Sequence, residues 1–394
     1  MLRIIILIAL AALGALASAA IDPVLPQIRD YFHQQGDPAA IERLAKMLMG
    51  LPSLVCAFSA PFVGWLGDRF GRVRLLMGGL FIYGITGTVG LYAESIYWIL
   101  GARALMGVGV AASMTLPIAL IGDYYAGDQR RRVIALLAGM GTLAGFVVAM
   151  SAGGLGQYFG WRAVFALYTL PLILLVFVWR LFPEVEKLQM TQQQSQLTFK
   201  QAIQGIWYLY PILLVTVTFF FALIVHMPFY LNDHLHVMDP TKIAAVFALS
   251  TLTGGLSALS YSWLLKRLNQ QQVFAVIFMF SALGFGLCAL WPQYTVIIVG
   301  AALAGIGMGL VTPHINTLIL MSVDPAWRGR LIAGVTSTIF LSQFLSVALT
   351  QPLTEILGYP ATFGLIAMCF AALSIVAWLP RQLWWPTAKS SASL

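Results

Sequence analysis

The feature that most constrains this chain is a series of apolar runs, each long enough to cross a bilayer as a helix. A helix spanning about 30 Å of hydrocarbon needs roughly 20 apolar residues, and backbone groups in lipid must be bonded within the segment, which favours helices. Apolar residues make up 60% of the 394 residues and charged residues 9%, against about 25% charged in ordinary globular chains. We predict an all-α integral membrane protein with twelve transmembrane helices, at approximately 4–26, 45–66, 75–93, 96–121, 133–158, 163–182, 207–231, 243–265, 273–291, 295–322, 331–353 and 362–379.

The first run also has the look of a cleavable signal peptide, because Arg3 precedes it and small residues lie around Ala19. Its apolar stretch continues to Pro26, which is long enough for a span. Removing it would leave eleven helices and spoil an internal repeat. We therefore expect it to be retained as the first helix.

Basic residues predict the orientation and location of the chain. With the N-terminus inside, most of the 22 Lys and Arg residues fall on the cytoplasmic side, as the positive-inside rule requires, so both termini are expected there. The short loops and this bias suit a multi-pass protein of a bacterial inner (cell) membrane. The formal charge of +8 comes from these loops. Because no basic patch with interleaved aromatics is present, nucleic-acid binding is not expected.

A polar stretch near the midpoint divides the chain into two similar halves. Residues 183–205 include a glutamine-rich segment, and we predict a cytoplasmic linker there, between six-helix bundles at 1–182 and 206–394. A shift of 198 residues aligns equivalent helix ends, pairing 107–109 with 305–307, 130–135 with 328–333, and 160–165 with 358–363. Two repeated bundles can rock about a central site and open it to either side in turn.

The loop after the second run carries the most specific motif. It reads Gly64-Trp65-Leu66-Gly67-Asp68-Arg69-Phe70-Gly71-Arg72-Val73-Arg74. This resembles the loop motif of the major facilitator superfamily, Gly-x-Leu-x-Asp-Arg-x-Gly-Arg. The helix count, linker and repeat extend the resemblance over nearly the whole chain. It implies a secondary transporter with two pseudo-symmetric six-helix bundles.

The resemblance implies that this loop belongs to a conformational latch. Asp68 would face the N-terminus of the eleventh helix, where the dipole favours an anion, and Arg72 would bridge to Asp123. The alternative is that the arginines only set topology. The predicted latch residues are Gly64, Asp68, Arg69, Gly71, Arg72, Asp123 and Gly334.

Ionisable residues inside spans are the candidates for proton coupling. Arg103, in Arg-x-x-x-Gly-x-Gly, and Asp22, in Asp-Pro-Val-Leu-Pro, resemble motif residues of drug/proton antiporters, a branch in which that arginine is linked to proton transfer. An arginine within a span needs a partner, and Asp22 lies at comparable depth. Asp22 would alternately bind a proton and substrate, or else it is a headgroup-level residue at a frayed helix end. His226 is either a third proton carrier or a packing residue.

The remaining polar groups suggest a substrate cavity without a cofactor. Its predicted residues are Asp22, Met106, Tyr230, His314, Asn316 and Gln343. His234 and His236 in a loop are a weak metal signal, so no metal site is expected. The three cysteines lie in apolar runs and are expected to be small buried hydrophobic residues.

Together these features predict a monomeric proton antiporter that exports a small, lipophilic molecule, such as a drug or a siderophore, by alternating access. Phe146 stands where the antiporter pattern has proline after Gly145. This departure keeps an importer or facilitator of a metabolite or metal chelate as the alternative. A receptor or a membrane enzyme is the third hypothesis, but the sequence carries no nucleophile elbow, metal cluster or phosphate loop, so no enzyme is expected.

Overall fold

A computed structural model describes residues 2–125, 127–183, 203–323 and 325–379. Within these ranges the chain is helical and contains no strand, which confirms the predicted fold class. The long helices, numbered in chain order, are α1 (Leu2–Ala19), α2 (Pro38–Phe70), α3 (Arg72–Gly87), α4 (Ile96–Tyr124), α5 (Gly127–Phe159), α6 (Leu170–Leu181), α7 (Leu209–Phe229), α8 (Pro240–Leu264), α9 (Gln270–Leu290), α10 (Tyr294–Ser322), α11 (Pro325–Leu357) and α12 (Tyr359–Trp378).

Eleven helical stretches among the described residues are long and apolar enough to cross a membrane. They match every predicted run except the fifth. That run lies in α5, several of whose side chains fall outside the described ones. Helix α2 begins earlier than its apolar run because the Asp37 side chain accepts a hydrogen bond from the Ala40 N–H and Pro38 occupies the first turn. Both features favour a helix start.

Helix α1 is interrupted within the predicted first span. Pro23 has no N–H to donate to the Ala19 carbonyl, so the helical ladder cannot continue there. The chain passes through a 3₁₀ turn, Asp22–Val24, and resumes as a short helix, Leu25–Phe32. The chain is helical on both sides of the break, so Asp22 lies within the helical stretch Leu2–Phe32 and not at its end.

The predicted repeat is visible in the packing of the two halves. A Cβ at Gly109 of α4 would lie 2.6 Å from the Gly79 carbonyl oxygen of α3. A Cβ at Gly307 of α10 would lie 2.7 Å from the Ile277 carbonyl oxygen of α9. Both partners are again 198 positions apart. Only glycine allows such close approach, so the two helix pairs meet at equivalent points.

Buried apolar residues form two clusters, one mainly from α1–α6 and the other mainly from α7–α12. The two bundles meet where α2 packs on α11 and α5 packs on α8. Small residues permit the approach, because Gly50 faces Val347 and Gly153 faces Ala244. The boundary predicted at 183–205 remains a prediction, since most of that segment lies outside the described residues.

Candidate functional site: a central cavity and its contacts

A cavity of about 500 Å³ lies between the two bundles. Helices α1, α2, α5, α7, α8, α10 and α11 build its wall. Much of the surface is apolar and includes Met49, Phe220, Phe221, Phe247 and Met308. The size and lining suit a small molecule with a largely apolar body.

Asp22 has the one ionisable side chain among the described residues that line the cavity. The residue is 3% exposed, and its Oδ1 atom has no hydrogen-bond partner. A buried carboxylate without such a partner is energetically costly until a proton or a cation reaches it. The break in α1 therefore presents an unsatisfied acid to an otherwise uncharged chamber.

Arg103 is fully buried, and its hydrogen bonds differ from the predicted pairing with Asp22. Its guanidinium donates to the carbonyl oxygens of Leu48 and Ala17, both at 3.0 Å, and to the Tyr168 hydroxyl at 2.7 Å. Arg103 lies close enough to act on Asp22 electrostatically. No ion pair between the two occurs among the described contacts.

The carbonyls that Arg103 binds have a common physical origin. Pro52 lies inside α2 and removes the N–H that would bond Leu48 four residues earlier. Ala17 lies in the last turn of α1, where carbonyls have no intrahelical partner. Arg103 thus satisfies one carbonyl freed by a proline and one freed by the helix end. It fixes the break in α1 against α2 and α4.

The other predicted cavity residues divide into one that lines the cavity and four that do not. Gln343 lines it and is hydrogen-bonded to Ser53 of the opposite bundle. Met106 lies behind the wall, against Arg103. The remaining three pack within the second bundle: the Tyr230 hydroxyl donates to the Cys288 carbonyl, His314 contacts Tyr261 and Phe274, and Asn316 has a buried Oδ1 without a hydrogen-bond partner.

His226 is buried outside the cavity wall. Its Nε2 lies 2.7 Å from Thr350 Oγ1, and that hydroxyl donates its own proton to the Ser346 carbonyl. Nε2 must therefore be the donor, which leaves Nδ1 as an acceptor. Nδ1 is buried and has no hydrogen-bond partner. The role of His226 as a proton carrier remains a prediction.

The latch loop joins α2 to α3 and has the predicted bridge. Arg72 donates to Asp123 Oδ1 at 2.6 Å and to Asp68 Oδ1 at 2.8 Å. Gly71 has φ 103°, a left-handed conformation that side chains disfavour. The Arg69 guanidinium lies over the ring of Trp65.

The proposed contact between Asp68 and α11 remains a prediction, because most side chains of the first turn of α11 lie outside the described ones. That helix begins at Pro325, earlier than the predicted 331, and Gly334 faces the Tyr210 ring of α7. Gly64 faces Thr115 of α4.

Ion pairs join the bundles at the end of the molecule opposite the latch loop, which we call the Arg29 end. Arg29 donates to both Asp233 oxygens at 2.5 and 2.7 Å. Arg43 donates to both Glu355 oxygens at 2.8 and 3.3 Å. The cations come from the first bundle and the carboxylates from the second. These pairs leave no local pattern in the sequence, because the partners are 204 and 312 positions apart.

Lys46 makes the third link and is 0% exposed. Its ammonium lies 4.8 Å from the ring centre of Phe229 and 5.3 Å from that of Tyr359, both in the second bundle. Its own bundle supplies Glu42, whose Oε1 accepts from Lys46 at 2.6 Å and from the Tyr359 hydroxyl at 3.2 Å. A buried ammonium thus sits between two rings of the other bundle.

Hydrogen bonds across the bundles, as far as side chains are described, run from the Ser53–Gln343 bond at the cavity to the Arg29 end. Close packing of α5 accompanies them. A Cβ at Gly153 would lie 2.5 Å from the Ala244 side chain of α8. These contacts close the cavity on the Arg29 side.

Comparison with known proteins decides the family. The sequence profile of the Major Facilitator Superfamily matches residues 7–269 and 231–391. The chain belongs to this superfamily. The match confirms the resemblance drawn from the loop motif and identifies a multi-pass membrane transporter, not an enzyme.

Two relatives are exporters. The chain is 24% identical over 351 residues to the bacillibactin exporter of Bacillus subtilis, an alignment that covers 84% of this chain and 85% of that protein. It is 35% identical over 163 residues to the multidrug efflux pump LfrA of Mycolicibacterium smegmatis, covering 41% of this chain and 31% of the pump. The chain spans less than a third of the length of several curated relatives that it matches.

Solved structures agree on the fold. The POT family transporter PepTSo superimposes with a TM-score of 0.76 at 13% identity, over 95% of this chain and 96% of that one. At this identity the likeness concerns the fold alone. The chain therefore has the major facilitator fold of two six-helix bundles.

Proposed function

We propose that this superfamily transporter exports a small, largely apolar molecule in exchange for protons by alternating access. The observation that carries the proposal is Asp22, the one ionisable group among the described residues of an apolar central cavity, with a buried and unpaired Oδ1. A single carboxylate that must be neutralised to stay buried can hold either a proton or a substrate group. Competition between the two couples their movements in opposite directions.

The distribution of contacts supports alternating access. The cavity is closed on the Arg29 side by pairs that bridge the bundles. We place the latch end in the cytoplasm, following the positive-inside rule, so the structure corresponds to a state closed to the outside. Opening that side requires these pairs to separate while the bundles rock about Asp22. Arg103 holds the break of α1 rigid during this movement.

The proposal draws the substrate class from two sources. The wall includes phenylalanine and methionine side chains, which suit a lipophilic body and adapt to varied shapes. Two relatives are a bacillibactin exporter and a multidrug efflux pump. Drugs and secreted metabolites such as siderophores are therefore the compounds to test, in a bacterial inner membrane, with the protein acting as a monomer.

An importer or facilitator is the second candidate, and it is favoured by Phe146 in place of the antiporter proline in α5. Reconstituted liposomes separate the two functions. A panel of lipophilic cations, siderophores and small acids is offered with and without an imposed pH gradient. The antiporter predicts substrate accumulation against its gradient only when protons flow the other way. Equal movement with and without the pH gradient would contradict antiport and establish a facilitator.

A further inference from the structure

We propose that Phe229 and Tyr359 form a second cation site at the Arg29 end, which takes a small alkylammonium or quaternary ammonium group when the bundles separate and which Lys46 occupies when they close. The proposal rests on the alternating access described above. It concerns a site distinct from the central cavity, because neither ring lines that cavity.

A bound ammonium is already present as the stand-in ligand. The four-carbon stem of Lys46 delivers its charged group between two rings, with centroid distances of 4.8 and 5.3 Å. Cations are attracted to ring faces within about 6 Å, and aromatic cages recognise ammonium ligands in this way. The atoms that contact Lys46 therefore have the chemistry that a free organic ammonium ion requires.

The two rings belong to the same bundle, and contacts within that bundle hold each of them in place. Phe229 is fully buried at the end of α7. The Tyr359 ring packs against Tyr230 at 5.9 Å and against His226 at 6.0 Å, and both of these also lie in the second bundle. Separation of the bundles removes Lys46 but leaves these contacts intact. The pair of rings is then a preformed and open cage.

The charges around the two rings favour a bound cation once the bundles have separated. Asp233 and Glu355 lie in the same bundle as the cage, and both lose their arginine partners when the bundles part. Lys46 leaves without remaining unpaired, because Glu42 is four residues away on the same helix. The opened cage therefore has a negative rim and a vacant ammonium position. On closure, Lys46 returns and displaces whatever cation the cage holds.

Spin labels across the Arg29 end report its opening. Gln34→Cys in the first bundle and Met238→Cys in the second place labels at exposed positions near the mouth, in a background with the native cysteines at 56, 288 and 369 replaced. The probes are choline and its uncharged carbon isostere, dimethylbutanol. We expect choline to shift the interspin distances to larger values in a dose-dependent manner and the isostere to have no effect.

Variants assign the effect to the cage. Lys46→Gln removes the internal competitor, so the half-saturating choline concentration should fall by about tenfold or more. Phe229→Leu should abolish the response, whereas Tyr359→Phe keeps the ring and should retain it. Phe81→Leu, at an exposed ring of α3, is the matched control and should respond as the wild type does. A response that survives Phe229→Leu, or that disappears in Phe81→Leu, would overturn the proposal and assign choline to another site.

A further variant distinguishes refutation of the cage proposal from refutation of the rocking movement. Asp233→Asn removes a partner of the buried Arg29 side chain at the same end and should lengthen the interspin distances without any ligand. If this variant opens but choline shifts neither it nor the wild type, the cage proposal is wrong and alternating access stands. If Asp233→Asn does not open the end either, the rocking movement is refuted, and the cage proposal, which depends on it, falls with it.

Discussion

Asp233→Asn should open the Arg29 end much more strongly than Glu355→Gln, although both remove one carboxylate from a two-pronged arginine pair. The Arg29 side chain is 7% exposed and its partner Asp233 is 36% exposed, whereas the values for Arg43 and Glu355 are 56% and 39%. Removing one partner of a fully buried pair costs about 3–5 kcal/mol, because the other charge stays buried and unpaired. Exposed pairs contribute little, since water replaces the lost partner.

Because Asp233 is partly hydrated and Arg29 keeps its bond to Asp30 at 2.9 Å, we expect the closed state of Asp233→Asn to lose about 1–2 kcal/mol relative to the open state, below the fully buried limit. That is a shift of roughly 5- to 30-fold in the equilibrium between the two states. The spin-label pair at positions 34 and 238 measures it directly as the fraction of long distances. Equal effects of the two variants would refute the argument from burial, and no effect of either would refute the proposed opening of this end.

Three further predictions concern helix packing and hydrogen bonds near the cavity and at the latch loop. Gly309→Ala should destabilise the folded protein, because its Cβ would lie 1.9 Å from the Gly254 carbonyl oxygen. Gly154→Ala should be tolerated, since nothing lies within 4 Å of its Cβ position. Thermal unfolding in detergent compares the two variants, and equal midpoints would contradict the packing. Tyr168→Phe removes a hydrogen bond to the Arg103 guanidinium and should lower the free energy of unfolding by about 1.5–3 kcal/mol. Chemical denaturation measures this change. An unchanged unfolding midpoint would mean that this bond adds no net stability. Asp123→Asn removes the bridge from Arg72 between α3 and α4 and should lower the thermal unfolding midpoint slightly, because the pair is partly exposed; an unchanged midpoint would mean that the bridge adds no net stability.

The architecture is readable from the sequence because its causes are local. Apolar length predicts the eleven spans found among the described residues, and the 198-residue offset predicts that Gly109 and Gly307 occupy equivalent helix contacts. The bridge from Arg72 to Asp123 follows from the resemblance of the loop motif to that of the family. These features depend on short segments or on a repeated pattern, and both survive in a linear sequence.

The parts that the sequence analysis did not reach depend on how helices face one another. Arg103 was expected to pair with Asp22, but a buried guanidinium can equally be satisfied by carbonyls. The clue was Pro52, whose missing N–H frees the Leu48 carbonyl. The contacts of Lys46 are not visible in the sequence, because its two aromatic partners lie in the other bundle.

Rotation about the helix axis also separates the predicted cavity residues. Gln343 and His314 are both polar residues in spans, yet only Gln343 lines the cavity. The difference is one of helix face, which hydropathy does not report when a helix is apolar on all sides. Tyr230 and His314 do not line the cavity, because each is hydrogen-bonded to a neighbour within the second bundle.

The most direct test of the central claim is proton release on substrate binding. Purified protein in weakly buffered detergent is mixed with whichever panel compound the liposomes transport, and the pH change is recorded for the wild type and for Asp22→Asn. We expect binding to the wild type to release protons and Asp22→Asn, whether or not it binds the compound, to release none. Proton release of equal size in both proteins would contradict Asp22 as the group for which substrate and proton compete.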